Sequence, residues 1–321
     1  MRDHGGNLDC AAAQYGIARE RWIDLSTGIN RQPYPVTSVS PESWADLPTA
    51  SATERLLAAA RGAYKTEAPL VALAGAQSAI QLVPLLGKPG RAVIISPTYN
   101  EHAASLRALG WQVEEATQLA ALAGADLAVV VNPNNPDGQS YEPASLLALL
   151  PDVGRLIVDE SFGDAYPALS LAPMAGRSGL VVLRSFGKFY GLAGMRLGFA
   201  LGCEADIAAL AQLAGPWPVC GPALEIGARA LADTGWVAAT TARLHSEIPR
   251  LDALAAKAGW QSVGGTCLFR LYTTPDAARA QAQLAGHAIW SRVFPYSQHW
   301  LRLGMPGSAA EWGRLARACG G

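Results

Sequence analysis

Ser185-Phe186-Gly187-Lys188-Phe189-Tyr190-Gly191-Leu192-Ala193-Gly194-Met195-Arg196-Leu197-Gly198 directly follows the apolar run Leu180-Val181-Val182-Leu183. A lysine boxed between a serine and glycines, with an arginine eight positions on, is the layout needed to hold a phosphorylated aldehyde and bond to it covalently. An amine condenses with an aldehyde only when partly deprotonated, which a semi-buried, electropositive setting favours; Lys188 supplies that amine. The Ser185 hydroxyl and the Arg196 fork supply short, directed donors for a phosphate. The cofactor with this chemistry is pyridoxal phosphate. Taken alone, Lys188 and Arg196 also read as solvated loop charges and the glycines as turn residues.

Three further segments weigh against that plainer reading. Asn132-Pro133-Asn134-Asn135-Pro136-Asp137-Gly138 follows the buried-strand pattern Leu127 to Val131. Its doubled Asn-Pro forces a tight loop at the carboxyl end of a strand, where open α/β sheets keep ligands, and Asn135 there can donate to a phenolic oxygen. Arg155-Leu156-Ile157-Val158-Asp159-Glu160-Ser161-Phe162 is a strand running into two acids. A carboxylate facing a pyridine nitrogen keeps it protonated, and Asp159 is the candidate, although a strand-end acid also caps loops. Leu73-Ala74-Gly75-Ala76-Gln77-Ser78-Ala79 is a Gly turn opening a helix, with the amides of Ala76 and Gln77 placed for an anion. Tyr99, after the strand Ala92 to Ile95, is either a ring that lies flat on the cofactor or a core tyrosine.

In order and spacing these segments resemble the fold-type I pyridoxal phosphate enzymes of the class I/II aminotransferase family over essentially the whole chain. The resemblance implies that Lys188 is the Schiff-base lysine, Asp159 pairs the pyridine nitrogen and Asn135 bonds the ring hydroxyl. It also implies that Ser185, Arg196 and the amides after Gly75 hold the phosphate. Trp300-Leu301-Arg302-Leu303-Gly304 resembles the family's carboxylate clamp, which makes Arg302 a substrate-binding residue.

Within the family, His4-Gly5-Gly6-Asn7 and Trp22-Ile23-Asp24-Leu25-Ser26-Thr27-Gly28-Ile29-Asn30 resemble the opening of the threonine-phosphate decarboxylases of cobalamin biosynthesis. Gly264 to Leu271 and Ile289-Trp290-Ser291-Arg292 strengthen the likeness. That branch converts L-threonine O-3-phosphate to (R)-1-amino-2-propanol O-2-phosphate and carbon dioxide. The resemblance implies a substrate site built from His4, Gly5, Gly6, Asn7, Asn30, Arg292 and Arg302. A Gly-Gly turn offers two unhindered amides for a phosphate, though an isolated HGGN also reads as a disordered terminus and Asn30 as a turn residue.

Histidinol-phosphate aminotransferase is the competing reading, since it uses the same cofactor residues. Which bond at the substrate α-carbon stands perpendicular to the cofactor decides between them, and motifs at the cofactor do not separate the two. A non-catalytic ligand-binding module on this fold is a further alternative, but no DNA-binding segment accompanies it. A Rossmann dehydrogenase is disfavoured because no Gly-x-Gly-x-x-Gly stands between strand and helix. Two departures from the family pattern stand out. Asp46-Leu47-Pro48 replaces a common Arg-Tyr-Pro whose tyrosine reaches the partner subunit's cofactor phosphate, with Tyr64 nearby in sequence. Phe162 replaces a tyrosine common in relatives that transaminate.

Composition bounds these readings. A chain of 321 residues, half of them apolar, suits an α/β fold with a large domain of mainly parallel sheet flanked by helices and a small α+β C-terminal domain. The expected boundaries are an N-terminal arm over residues 1–30, packing with the small domain and active site, a large domain over 31–235 and a small one over 236–321. Strands are expected at Leu70–Leu73, Ala92–Ile95, Leu127–Val131, Leu156–Val158, Leu180–Leu183, Leu197–Leu201, Thr266–Tyr272 and Trp300–Leu303. The Pro/Gly clusters at residues 215–222 precede helical patterning over Thr240 to Lys257. A net charge of −1 argues against nucleic acid or anionic membrane as a partner, and five scattered cysteines argue for a reduced cytoplasm without a metal. By resemblance the protein is a homodimer acting on a phosphorylated amino acid.

Overall fold

A computed structural model describes residues 4–320. Its strands in chain order are β1 (Ile23–Asp24), β2 (Leu70–Leu73), β3 (Arg91–Ile95), β4 (Gln112–Ala116), β5 (Leu127–Val131), β6 (Leu156–Asp159), β7 (Leu180–Ser185), β8 (Gly198–Gly202), β9 (Gln261–Thr266), β10 (Phe269–Thr273), β11 (Ile289–Trp290), β12 (Arg292–Phe294) and β13 (Ser297–Gly304). The chain divides into two compact units. One comprises Tyr34–Asn135 and Gln139–Val237; the other comprises Met1–Pro33, Pro136–Gly138 and Ala238–Gly321.

The larger unit is built on a seven-stranded sheet in the order β2-β8-β7-β6-β5-β3-β4. The neighbours from β4 through β7 run parallel, and β8 runs antiparallel to both β7 and β2. Every residue of β5 is buried, as expected where helices cover both faces of a parallel sheet, so its sequence is a continuous apolar run. Ile94, Val129, Ile157, Val181 and Leu183 form one side-chain core, each contributing about 1.5–3 kcal/mol by burial. Edge strand β4 is different: its residues are exposed or half-buried, with Glu114 and Glu115 paired to Arg91 and Arg107. It has no apolar alternation to betray it.

One expectation needs correction, and one cluster finds its place. Gly221-Pro222 opens a helix, Gly221–Ala232, because proline in the first turn needs no N–H partner. That helix packs against Ala50–Tyr64, which Thr49 caps by accepting from the Ala52 amide. The expected single strand Thr266–Tyr272 is two antiparallel strands, β9 and β10, turning at Cys267-Leu268.

The smaller unit carries a four-stranded antiparallel sheet in the order β12-β13-β10-β9. The helix Leu8–Tyr15 joins this unit: Ala11 and Trp22 pack on Ala285 and Ala288, and Tyr15, Trp22 and Trp290 meet edge to face at 5.8–6.4 Å. Short β1 pairs in parallel with β11, Asp24 opposite Trp290. Among the described residues no helix is long and apolar enough to cross a membrane, and no cluster of three or more His, Cys, Asp or Glu is arranged for a metal.

Candidate active site

In the larger unit the carboxyl ends of the parallel strands converge on one pocket, lined by Ala76, Gln77, Tyr99, Asn135, Asp159, Ser185, Lys188 and Arg196 together with Phe162. Asp159 ends β6, Ser185 ends β7, and Lys188 follows within one turn of helix, Phe186–Phe189. Asn135 leaves β5 on a loop that is held from both sides. Asn134 accepts from the Thr98 hydroxyl at 2.6 Å, donates to Pro97 O at 3.0 Å and bonds through its amide to Gln139 O at 2.8 Å.

Asp159 is 2% exposed. Burial pushes its carboxyl up, but the bonds from His102 and Ser161 outweigh burial and hold it below the usual carboxylate range. His102 Nε2 lies 2.8 Å from Oδ2, while the Ser161 amide and hydroxyl donate to Oδ1 at 2.9 and 2.5 Å. An ionised carboxylate only accepts, so Nε2 of His102 carries the proton. Beside it, the Tyr99 hydroxyl donates to Gln77 at 3.2 Å, and Gln77 donates to the buried Glu101 at 3.0 Å.

At the other end of the pocket the chain closes around a small-residue cradle. Gly75 has φ of 79°, and a Cβ there would stand 2.9 Å from Arg196 Nη2; on Gly198 it would stand 2.3 Å from the Ala76 amide nitrogen. Only glycine permits both approaches. The cradle sets the first amides of the helix Ala76–Leu82, the Arg196 guanidinium and the Ser185 hydroxyl around one space. An anion cradle at one end and a buried, ionised carboxylate at the other fit pyridoxal phosphate, with Lys188 lining the same pocket. The Lys188 ammonium position is 5.4 Å from the Phe162 ring centre, so the aromatic ring beside it bears no hydroxyl.

The other predicted residues lie in the smaller unit. Arg292 and Arg302 face each other across β12 and β13. Arg302 is buried; its Nη2 donates to Ser26 O at 2.5 Å and its guanidinium stands 5.0 Å from the Phe269 ring centre. Burial first, then Arg292, pushes the Arg302 guanidinium down to about 10, against opposing pulls from Tyr296 and Asp24. Asn30 is buried, and its Oδ1 accepts from Arg243 Nη2 at 2.9 Å and from the Gln32 amide at 3.0 Å. Asn7 caps the helix Leu8–Tyr15 through its Oδ1, and the Gly6 amide donates to Ser26 Oγ at 2.8 Å. His4 and Gly5 precede that bond on the same arm.

The family model for aminotransferase class I and II matches residues 45–318. The chain belongs to this family. It is 42% identical to a threonine-phosphate decarboxylase of Pseudomonas aeruginosa over 99% of this chain and 97% of that one. It is 44% identical to a threonine-phosphate decarboxylase of a Sinorhizobium species over 98% and 96%. Among solved structures, a histidinol-phosphate aminotransferase of Sinorhizobium meliloti in complex with pyridoxal-5'-phosphate superposes with a TM-score of 0.81 at 18% identity, covering 98% of this chain and 93% of that one.

Within this aminotransferase fold the departures now have a setting. Leu47 is 64% exposed. Tyr64 is buried in the core, its ring 4.4 Å beneath the Arg184 guanidinium and edge-on to Phe199, which removes it as a stand-in for a surface tyrosine. Arg184 in turn bridges Glu160 and Asp164 at 2.7 Å each; burial opposes its charge, but the two carboxylates more than offset that and hold the guanidinium above its ordinary range. His102, Ser161, Glu101 and Arg184 are the residues that sequence reasoning missed. One signal was available for His102: it stands one helical turn after Tyr99 and so shares its face.

Proposed function

We propose that this chain is a pyridoxal phosphate-dependent lyase of cobalamin biosynthesis that converts L-threonine O-3-phosphate to (R)-1-amino-2-propanol O-2-phosphate and carbon dioxide. The near-full-length relatives of that name support the reading. The observation that carries it on the chemical side is the facing pair Arg292 and Arg302, a doubly cationic site suited to a substrate that bears both a carboxylate and a phosphate. Cysteines scattered without disulfide bonds suit the same reading, which makes the protein a cytoplasmic homodimer with an N-terminal arm, a large cofactor domain and a small C-terminal domain.

Pyridoxal phosphate, when bound, supplies the electron sink for the pair left behind as the bond from Cα to the carboxylate breaks. The protein does the rest. Lys188 Nζ anchors the cofactor and returns a proton to Cα. Asp159, held ionised by His102 and Ser161, keeps the pyridine nitrogen protonated. Asn135 donates to the ring oxygen, Tyr99 covers the ring, and Ser185, Arg196 and the amides of Ala76 and Gln77 after Gly75 hold the phosphate. Arg302 orients the substrate carboxylate, while Arg292, Asn30 and the arm residues His4, Gly5 and Asn7 take the substrate phosphate. Gly6, its amide bonded to Ser26 Oγ, shapes the turn of that arm rather than donating to the anion. With Phe162 in place of a hydroxyl-bearing ring, one donor to the cofactor oxygen is absent from this pocket.

The test is to incubate the holoenzyme with L-threonine O-3-phosphate and no keto acid, following carbon dioxide and aminopropanol phosphate. Multiple turnovers are expected, because a transaminase stalls without its second substrate. Conversion of the cofactor to its amine form by histidinol phosphate, with no carbon dioxide, would overturn the reading in favour of transamination.

A further inference from the structure

Ser26 is fully buried and uses each of its polar groups. Its amide and its hydroxyl both donate to Asp24 Oδ1, at 2.9 and 2.6 Å, closing a local turn. The same hydroxyl accepts from the Gly6 amide at 2.8 Å, and the carbonyl accepts from Arg302 Nη2 at 2.5 Å. One residue therefore holds the N-terminal arm with its side chain and the predicted carboxylate arginine with its backbone. The arm lies directly on that carbonyl. A Cβ on Gly5 would stand 2.6 Å from Ser26 O and 2.9 Å from its Oγ, and Gly6 turns away with φ of 89°. Asp24 is itself anchored opposite Trp290, two positions before Arg292.

We propose that Ser26 is a positioning residue that couples the seating of the Gly5-Gly6 arm to the orientation of Arg302, so that the phosphate end and the carboxylate end of the substrate site are set together. This rests on the reading of the arm and Arg302 as substrate-binding. A guanidinium is a rigid planar fork, so fixing one nitrogen on a carbonyl constrains the plane in which the others donate. A shift of the arm that displaces the Ser26 carbonyl rotates that plane.

The test compares wild-type holoenzyme with Ser26→Ala, Gly5→Ala and the double variant. Gly5→Ala presses a methyl group on the Ser26 carbonyl from a partly exposed turn but removes no buried polar group, so it serves if Ser26→Ala folds poorly. Amide hydrogen exchange at Gly6, measured without substrate, is expected to accelerate about tenfold or more in each single variant, the scale of one lost hydrogen bond. KM for L-threonine O-3-phosphate is expected to rise about tenfold in each, with a smaller change in kcat, and the double variant is expected to be no worse than the poorer single one. Unchanged Gly6 exchange, or KM effects that multiply in the double variant, would overturn the coupling. If wild-type protein fails to turn over the substrate, the proposed function falls, and the exchange comparison still decides the link between the arm and Ser26.

Discussion

Replacing Ser161 by alanine removes one hydrogen bond from a buried carboxylate and little else. The Ser161 hydroxyl stands 2.5 Å from Asp159 Oδ1 and both residues are buried, so this is a charge-assisted bond screened from water. Such bonds contribute about 1.5–3 kcal/mol; Asp159 keeps His102 and the residue-161 amide, which places the expected loss near the middle, about 2 kcal/mol at pH 8. The sign with pH follows from the lowered carboxyl. Its stabilisation is fully present above the ordinary aspartate range and fades as pH falls through the folded-state value. Raising that value by the substitution therefore costs stability at pH 8, and the difference between wild type and variant shrinks on the acid side as both carboxyls take up a proton. Equilibrium urea unfolding at pH 8 and below pH 4 measures it. A loss of the same size at both pH values would mean that the serine acts through packing, and a loss under about 0.5 kcal/mol would refute the assignment of the Ser161 hydroxyl as a bond that holds Asp159 ionised.

Other perturbations test the pocket and its surroundings. Lys188→Ala is expected to abolish the near-visible absorbance of lysine-bound cofactor, and a surviving band would exclude Lys188. Gly198→Ala drives a methyl against the Ala76 amide and is expected to weaken cofactor binding at least about tenfold in an equilibrium titration, since backbone cannot yield as a flexible side chain does. Arg184→Met leaves Glu160 and Asp164 buried beside a neutral chain and is expected to cost about 3–5 kcal/mol of stability, read from the shift in urea midpoint. Arg302→Ala is expected to weaken substrate binding by about 2–5 kcal/mol, measured by calorimetry or by KM.

How much of this was legible in the sequence depends on the kind of interaction. Strand β5 announces itself because a parallel sheet buries both faces, so Leu127–Val131 is an unbroken apolar run, and the antiparallel edge strand β2, with three of its four residues buried, reads the same way at Leu70–Leu73. Edge strand β4 has no such run, and β9 is largely exposed with two glycines, so neither carries a signal in composition. Most of the pocket residues were legible because they end a strand or follow it within a few positions, where chain order and local motif coincide, and Arg196 was legible from its spacing to Lys188. The partners that tune them were not. His102 is 57 positions from Asp159 and Ser26 is 276 from Arg302; only the tertiary fold brings such pairs within a hydrogen bond.

The facing arginines show why a substrate site costs stability before it is filled. Arg292 and Arg302 stand directly opposite on antiparallel strands, where like charges destabilise by up to about 1 kcal/mol. Arg302 is also buried, and the two effects together push its guanidinium down to about 10. That still leaves it charged at neutral pH, so the repulsion is borne by the folded protein and Asp24 offsets only part of it. An anion bridging the pair reverses the sign of the interaction. Arg292→Gln should therefore raise the unfolding midpoint of the substrate-free protein while weakening affinity for phosphorylated substrate, the usual opposition of stability and function at a binding site. Salt separates this from a packing effect. Added sodium chloride screens the repulsion and should stabilise the wild type more than the variant, so the two midpoints should converge, and inorganic phosphate should stabilise the wild type further by binding. A variant less stable than wild type at low ionic strength would show that Arg292 serves the fold, and the doubly cationic site would lose its argument.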